Sequence, residues 1–198
     1  MIVFTSDHGE MLGDHHLFGK GGPFDTSYQI PLIVRDPASP QAHGTVVDAF
    51  TESIDIFPTL IDRTHGVVPN HLDGTSLAPF LEGQPLATWR EAAHFEFDFR
   101  EVATGAAQSR LGLALDACNM AARREDRFKY VHFAGLPPLL FDLVEDPGET
   151  RDLSQDPDYR DLRLEMAEKL LSWRAEHLDR ALTAMELTPD GLVEACRP

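Results

Sequence analysis

The chain has 198 residues, 42% hydrophobic and 25% charged, the proportions of an ordinary soluble globular protein long enough for one sizeable core. Its formal net charge of −16 excludes nucleic acid and anionic membrane as general partners, because both would repel it, so any anion it binds must meet a local positive site. Two cysteines far apart make no disulfide framework and point to reduced thiols in a cytoplasmic setting. The first residues lack the basic region and long apolar run of a secretory signal, and no apolar stretch is long enough to span a bilayer.

Met1 to Phe4 is a short apolar run of the kind expected in a buried strand. Thr5 and Ser6 lead into Asp7-His8-Gly9, so a carboxylate and an imidazole arrive together where the strand ends. In a parallel α/β sheet, the carboxyl end of a strand is where ligands bind. Neighbouring side chains on a strand point to opposite faces. Asp7 and His8 can therefore share one ion only if the backbone has already turned, and Gly9 permits a turn. The same string also reads as turn chemistry, since Ser and Asp bond readily to nearby backbone groups. A loop with Gly13, Gly19, Gly21 and Gly22 follows and carries one cation, Lys20. It is not the phosphate-cradling pattern, because Asp14 stands in place of the first glycine and Gly21 in place of the hydroxyl residue. An ion held by Asp7 and His8 beside Lys20 would make a pocket for an anionic substrate.

Tyr28 to Arg35 reads as a second strand interrupted by Pro31, which favours an edge position. Asp36 to Pro40 is a loop, and Val46, Val47 and Phe50 form a short extended stretch. Ser53 is placed to cap a helix from Ile54 to about Thr64, with Ile54, Phe57, Leu60 and Ile61 on one face against the sheet. A second short helix spans Leu77 to Leu81 and ends at Gly83. His65 and His71 read as loop or solvent residues.

Beyond Pro85 the period falls to two. Phe95, Phe97 and Phe99 alternate with His94, Glu96, Asp98 and Arg100, the pattern of a half-buried strand. His94, Glu96 and Asp98 could form a second metal site, but alternation alone produces this composition, and a solvated strand face is the preferred reading. Leu111, Leu113 and Leu115 alternate too. After a charged turn at 123–127, strands follow at Phe128–Phe133 and Leu139–Val144, and the hairpin spacing predicts a small antiparallel sheet. Asp156-Pro157 caps a long helix to about Ala184, striped by Tyr159, Leu162, Met166, Leu170, Trp173, His177 and Ala181. From Glu186 onward there is no periodicity, which suits a subunit-contact tail or a frayed end.

Several strings together resemble the downstream half of the sulfatase family of the alkaline phosphatase superfamily, and within it the bacterial phosphonate monoester hydrolases and arylsulfatases. They are Thr5-Ser6-Asp7-His8-Gly9-Glu10, Leu12-Gly13-Asp14-His15-His16, Gly19-Lys20, Ile30-Pro31-Leu32-Ile33-Val34, His94 to Arg100, Lys129 to Ala134 and Leu140-Phe141-Asp142-Leu143. The resemblance implies hydrolysis of a sulfate, phosphate or phosphonate ester with a divalent metal ion, manganese or calcium ahead of zinc or magnesium. It implies Asp7 and His8 as metal ligands and Lys20 as the contact to the anionic group; His15 and His16 are open between a site role and loop packing. It also implies a formylglycine nucleophile made within a Cys-x-Pro-Ser-Arg string. Neither Cys118 nor Cys196 has that context, so no nucleophile is expected from these residues.

The expected fold class is therefore α/β: the C-terminal part of an alkaline-phosphatase-like sheet over residues 1–84, then a small antiparallel sheet with a long C-terminal helix and tail over 85–198. The expected partners are an anionic ester, the N-terminal half of the catalytic domain and further copies of the chain. The competing class is a non-catalytic interaction or oligomerisation module derived from the same fold. A metal-storage role is disfavoured, because the carboxylates are dispersed rather than clustered.

Overall fold

The computed structural model describes residues 1–84, 86, 88–177, 185–189 and 191–194. Strand β1 (Ile2–Thr5) pairs antiparallel with β2 (Leu32–Arg35), with Val3 opposite Val34 and Thr5 opposite Leu32. The expectation of a buried strand in a parallel sheet does not hold for this pair. Val3 and Val34 face Ile56 and Leu77 across a narrow crevice, whereas Ile2, Phe4 and Ile33 are about 60% exposed. One face is covered and the other has nothing to pack against, so alternation rather than the apolar run decides burial.

The segment before Pro31 is helical, not extended. Asp25–Tyr28 forms a single turn, α1, and β2 starts only beyond the proline. Pro31 cannot donate to a ladder, and a strand beginning after it avoids that loss. Residues 46–50 adopt no strand. A 3-10 turn at Ser53–Asp55 leads into α2 (Ile56–Arg63), and Ala78–Leu81 forms α3. The cap of the first helix is not Ser53. Glu52 and Asp55 make a reciprocal capping box, each side chain accepting from the other's backbone. The expected apolar face is open as well: Ile54, Phe57 and Leu60 are exposed, while Pro58 and Thr59 are buried.

Asp55 is completely buried and ties this region together. It accepts the N–H groups of Glu52 and Thr75, both at 2.8 Å, and a two-pronged contact from Arg90 at 2.6 and 2.8 Å. Glu52 in turn accepts the N–H of His94 at 2.7 Å, which joins the helix start to the next sheet.

That sheet has four antiparallel strands in chain order: β3 (Ala93–Asp98), β4 (Asn119–Arg124), β5 (Phe128–Phe133) and β6 (Leu139–Asp142). The second strand lies at 119–124 rather than along the leucines at 111–115. Leu111 ends a helix, α4 (Ala106–Leu111), bracketed by left-handed Gly105 and Gly112, Leu113 lies between elements, and Leu115 opens a 3-10 turn at Leu115–Ala117. The long helix α5 (Arg160–Glu176) covers one face, burying Met166 and Leu170 against Ala121, Tyr130 and Leu140. The Asp156 carboxylate accepts the Asp158 N–H at 3.1 Å and so caps a 3-10 turn at Pro157–Tyr159 that leads into α5, while α5 itself starts after Tyr159 without a side-chain cap. Residues 178–184, into which the sequence extended this helix, lie outside the described residues. The opposite face packs Met120, Ala122 and Val131 under Tyr28, Phe95 and Phe97. The tail is an antiparallel hairpin of β7 (Met185–Thr188) and β8 (Gly191–Glu194), not irregular chain.

Two predictions follow from the buried charges. Replacing Arg90 with Met strands the buried Asp55 carboxylate and is expected to cost about 3–5 kcal/mol, read by urea denaturation. The Asp142 carboxyl is held below the usual carboxylate value by hydrogen bonds from Arg127 and from the N–H groups of Glu145 and Val144. That stability is fully present above the ordinary carboxylate pKa and is lost as pH falls through the lowered one. The deficit of Asp142→Asn against the parent chain should therefore be widest near neutrality and close as the pH is taken down.

Candidate functional site

The loop after β1 is built by close approach and local closure. Gly9 donates its N–H to the Ser27 carbonyl at 2.9 Å, and a Cβ at residue 9 would stand 2.0 Å from the Thr26 carbonyl oxygen. Its φ is not positive, so glycine is required here by space rather than by a left-handed turn. Farther on, Glu10 Oε1 accepts the Gly19 N–H at 2.6 Å and the Leu12 N–H at 3.2 Å, and Met11 donates its N–H to the Gly19 carbonyl at 2.9 Å. These bonds close the loop from 10 to 19 at its neck and present Lys20 immediately beyond the closure.

Within this frame the Asp7 Oδ2 and His8 Nε2 atoms come to 3.8 Å. His8 Nδ1 lies 2.6 Å from the Gly9 carbonyl, which only accepts, so Nδ1 carries the proton. With Nδ1 engaged in this way, Nε2 is the ring nitrogen that faces the Asp7 carboxylate. An ion about 2.0–2.6 Å from each donor fits this separation, and the hydrogen bond on the far ring nitrogen is what a metal-bound histidine ordinarily has. The pair therefore fits as two ligands of a divalent ion. Among the described residues no third His, Cys, Asp or Glu joins them.

Asp7, His8 and Lys20 line one cleft of about 1120 Å³, whose opposite wall includes Phe95, Arg90 and Arg124. Lys129 and Lys169 both hold carboxylates, whereas Lys20 is exposed and has no ion pair among the described residues. In so acidic a chain, an unpaired ammonium facing the Asp7–His8 cleft is an attractive point for an anion. Tyr28 also lines the cleft, its ring stacked on Phe95 with centroids 3.8 Å apart. Burial pushes its phenol up to about 12, so the hydroxyl remains a donor at all physiological pH values.

His15 and His16 do not line this cleft. His15 stacks flat on Phe24 at 3.6 Å, and His16 is exposed; both lie in a 3-10 turn at Asp14–His16. His94, Glu96 and Asp98 are likewise no metal site. His94 accepts from Arg123 at 3.0 Å and stacks on Trp173, while Glu96 pairs with Arg174 at 2.9 Å and Asp98 with Arg100. Cys118 is buried with its thiol 3.6 Å from the Ala114 carbonyl, and Cys196 lies outside the described residues.

Beneath the cleft is a buried group of charges that pattern reading does not find. Lys129, on β5, is fully buried; its Nζ lies 2.8 Å from Asp25 Oδ1 and touches Glu149 Oε1. Glu149 Oε2 accepts the Asp25 N–H at 2.6 Å, and Arg124 approaches Asp25 Oδ2 at 3.3 Å. Burial pushes the Lys129 ammonium down to about 8, further than Asp25 can restore, and Arg124 adds to the lowering. Asp25 and Lys129 are 104 residues apart and Asp25 and Glu149 are 124 apart, so no local spacing announces them.

Gly9→Ala is expected to lower stability by several kcal/mol, because a backbone carbonyl and not a flexible side chain stands in the way. Gly13→Ala meets no neighbour within 4 Å and should cost only about 1 kcal/mol for its positive φ. Thermal melting of the two variants checks the contrast.

The family model described as N-sulphoglucosamine sulphohydrolase, C-terminal, matches residues 13–176. The multifunctional alkaline phosphatase superfamily protein PehA of Trinickia caryophylli is 47% identical over 193 residues, which is 97% of this chain and 37% of that one. An arylsulfatase of Clostridium perfringens is 31% identical over 185 residues, 92% of this chain and 35% of its own length. The crystal structure of the phosphonate monoester hydrolase of Agrobacterium radiobacter superposes with a TM-score of 0.91 at 56% identity, covering 100% of this chain and 39% of that chain. The chain thus spans little more than a third of the length of these relatives. With a family match across most of its residues and a superposition over its whole length, the chain belongs to the C-terminal family of the sulfatases.

Proposed function

We propose that these 198 residues supply the downstream metal- and anion-binding part of a hydrolase acting on sulfate, phosphate or phosphonate monoesters. Residues 1–84 carry the binding groups and 85–198 buttress them. Asp7 and His8 hold one divalent ion, manganese or calcium ahead of zinc or magnesium, and Lys20 holds the anionic oxygens of the substrate. The observation that carries this reading is the convergence of Asp7 Oδ2 and His8 Nε2 at 3.8 Å, in the cleft that Lys20 also lines.

The ion, when bound, polarises the ester oxygens. The residues do the rest: the His8 Nδ1–H bond to Gly9 fixes the ring, the closed loop aims Lys20, and its fixed ammonium offsets negative charge that grows in the transition state. No Cys-x-Pro-Ser-Arg string occurs in these residues, so a nucleophile must come from elsewhere. Two protein ligands leave most of the coordination shell to water, and binding by these residues alone is correspondingly weak.

A second reading, a non-catalytic module that pairs with another chain or a further copy of itself, draws on the exposed apolar face of Ile2, Phe4 and Ile33. Manganese and calcium titrations of the purified chain separate the two. The hydrolase reading expects weak binding that Asp7→Asn or His8→Ala abolishes. It expects Lys20→Met to keep the metal but to weaken phenylphosphonate binding about tenfold, the value of one charge-assisted hydrogen bond. Metal affinity indifferent to Asp7 and His8 would leave only the module. Robust ester turnover by the 198 residues alone would refute the division of labour.

A further inference from the structure

We infer that Lys129 and Glu149, neither of which lines the cleft, are positioning residues for the Asp7–His8 pair, acting through α1. This rests on the reading of Asp7 and His8 as metal ligands. The path is short and continuous. Glu149 Oε2 holds the N–H of Asp25, the first residue of α1, at 2.6 Å, and Lys129 bridges the Asp25 and Glu149 carboxylates. One and two residues along the same turn, the Thr26 carbonyl abuts Gly9, and the Ser27 carbonyl accepts the Gly9 N–H at 2.9 Å. Gly9 then supplies the carbonyl that orients the His8 ring through Nδ1. The other end of the pocket hangs on the same turn: Ser27 Oγ donates to the Gly21 carbonyl at 3.1 Å, next to Lys20. Ligand and anion contact are thus both set from one helical turn of four residues.

A turn this short does not hold itself, because one or two intrahelical bonds cannot offset the cost of nucleation. Four elements hold α1 from outside, three through charges and β3 through a ring. β5 contributes Lys129, the turn after β6 contributes Glu149, and β4 contributes Arg124; the Phe141 ring lies 5.7 Å from Lys129 Nζ, and Tyr28 stacks on Phe95. A buried ion cluster contributes little net stability compared with apolar packing, but its geometry is strict. Here that geometry fixes where Asp25 starts the turn.

The test compares the 198-residue chain with Lys129→Met, the double variant Lys129→Met/Glu149→Gln, and Arg127→Gln as a control. The control breaks the Arg127–Asp142 pair on the same sheet without touching α1. Three readings are taken: thermal midpoint, hydrogen exchange at the Gly9 amide, and Mn²⁺ affinity by electron paramagnetic resonance. The proposal expects Lys129→Met to speed Gly9 exchange at least tenfold and to weaken Mn²⁺ binding about 10- to 100-fold, the usual effect of losing a group that orients a ligand. It expects the double variant to recover part of the thermal midpoint, since fewer buried charges are left unpaired, while both other defects persist. Arg127→Gln should lower the midpoint alone. If Lys129→Met does not fold, the double variant carries the same two readings. Parent-like Gly9 exchange in a folded variant, or equal defects in the control, overturns the proposal. If the parent chain binds no Mn²⁺ yet the variants loosen Gly9, the clamp stands and the metal assignment falls.

Discussion

The Thr26 carbonyl occupies the space that a side chain on residue 9 would need, and the candidate site depends on that contact. Because the two backbones meet without an intervening methyl group, α1 can lie directly against the loop that follows β1. The Gly9 amide finds its partner in Ser27 instead of water. The Gly9 carbonyl is left to fix one nitrogen of His8, so the other turns to Asp7. Each step limits the next, from backbone packing to a histidine tautomer to the geometry of two donors. Adjacent side chains on a regular strand would point apart; the loop beyond β1 is what lets them converge.

Charge is distributed with the same logic. The chain is strongly acidic, and its buried cations are matched to carboxylates: Arg90 to Asp55, Lys129 to Asp25 and Glu149, and Arg63 to Asp36 and Glu82. These contacts join segments distant in the chain and fix the angles at which helices meet the two sheets. Lys20 is exposed, and of the three lysines it is the one without an ion pair among the described residues. For a chain this acidic to bind an anion, a free cation is needed at the site, because the general field opposes the ligand and only a short-range attraction overcomes it.

Apolar surface divides in a similar way. The four-stranded sheet is covered on both faces, by α5 on one and by Tyr28 with the β3 phenylalanines on the other. The β1–β2 pair is covered on one face only, and α2 with the 3-10 turn before it leaves Phe57 and Ile54 exposed. The four-stranded sheet is thus the better-covered part of the molecule, and Phe95 and Arg124 on it line the same cleft as Asp7 and His8.

Periodicity and local chemistry made three strands of the four-stranded sheet, the long helix and the adjacency of Asp7 and His8 (but not what lies around that pair) readable from the sequence, because strand alternation, an Asp-Pro start and neighbouring positions are local signals. They misled where one local signal had two outcomes. Of the alternating leucines at 111–115, Leu111 ends a helix that left-handed Gly105 and Gly112 bracket, and Leu115 opens a 3-10 turn. In the run Ile2 to Phe4, Ile2 and Phe4 lie open while Val3 is half-buried, because burial depends on what packs above each face of a strand. The sequence by itself determined which groups could bind a cation and an anion. Tertiary structure alone decided that Asp7 and His8 converge, that His94, Glu96 and Asp98 each find a separate partner, and that Lys129 and Glu149 grip Asp25 from more than a hundred residues away. Convergence of that kind is set by the path of the backbone in space, and no spacing along the chain records it.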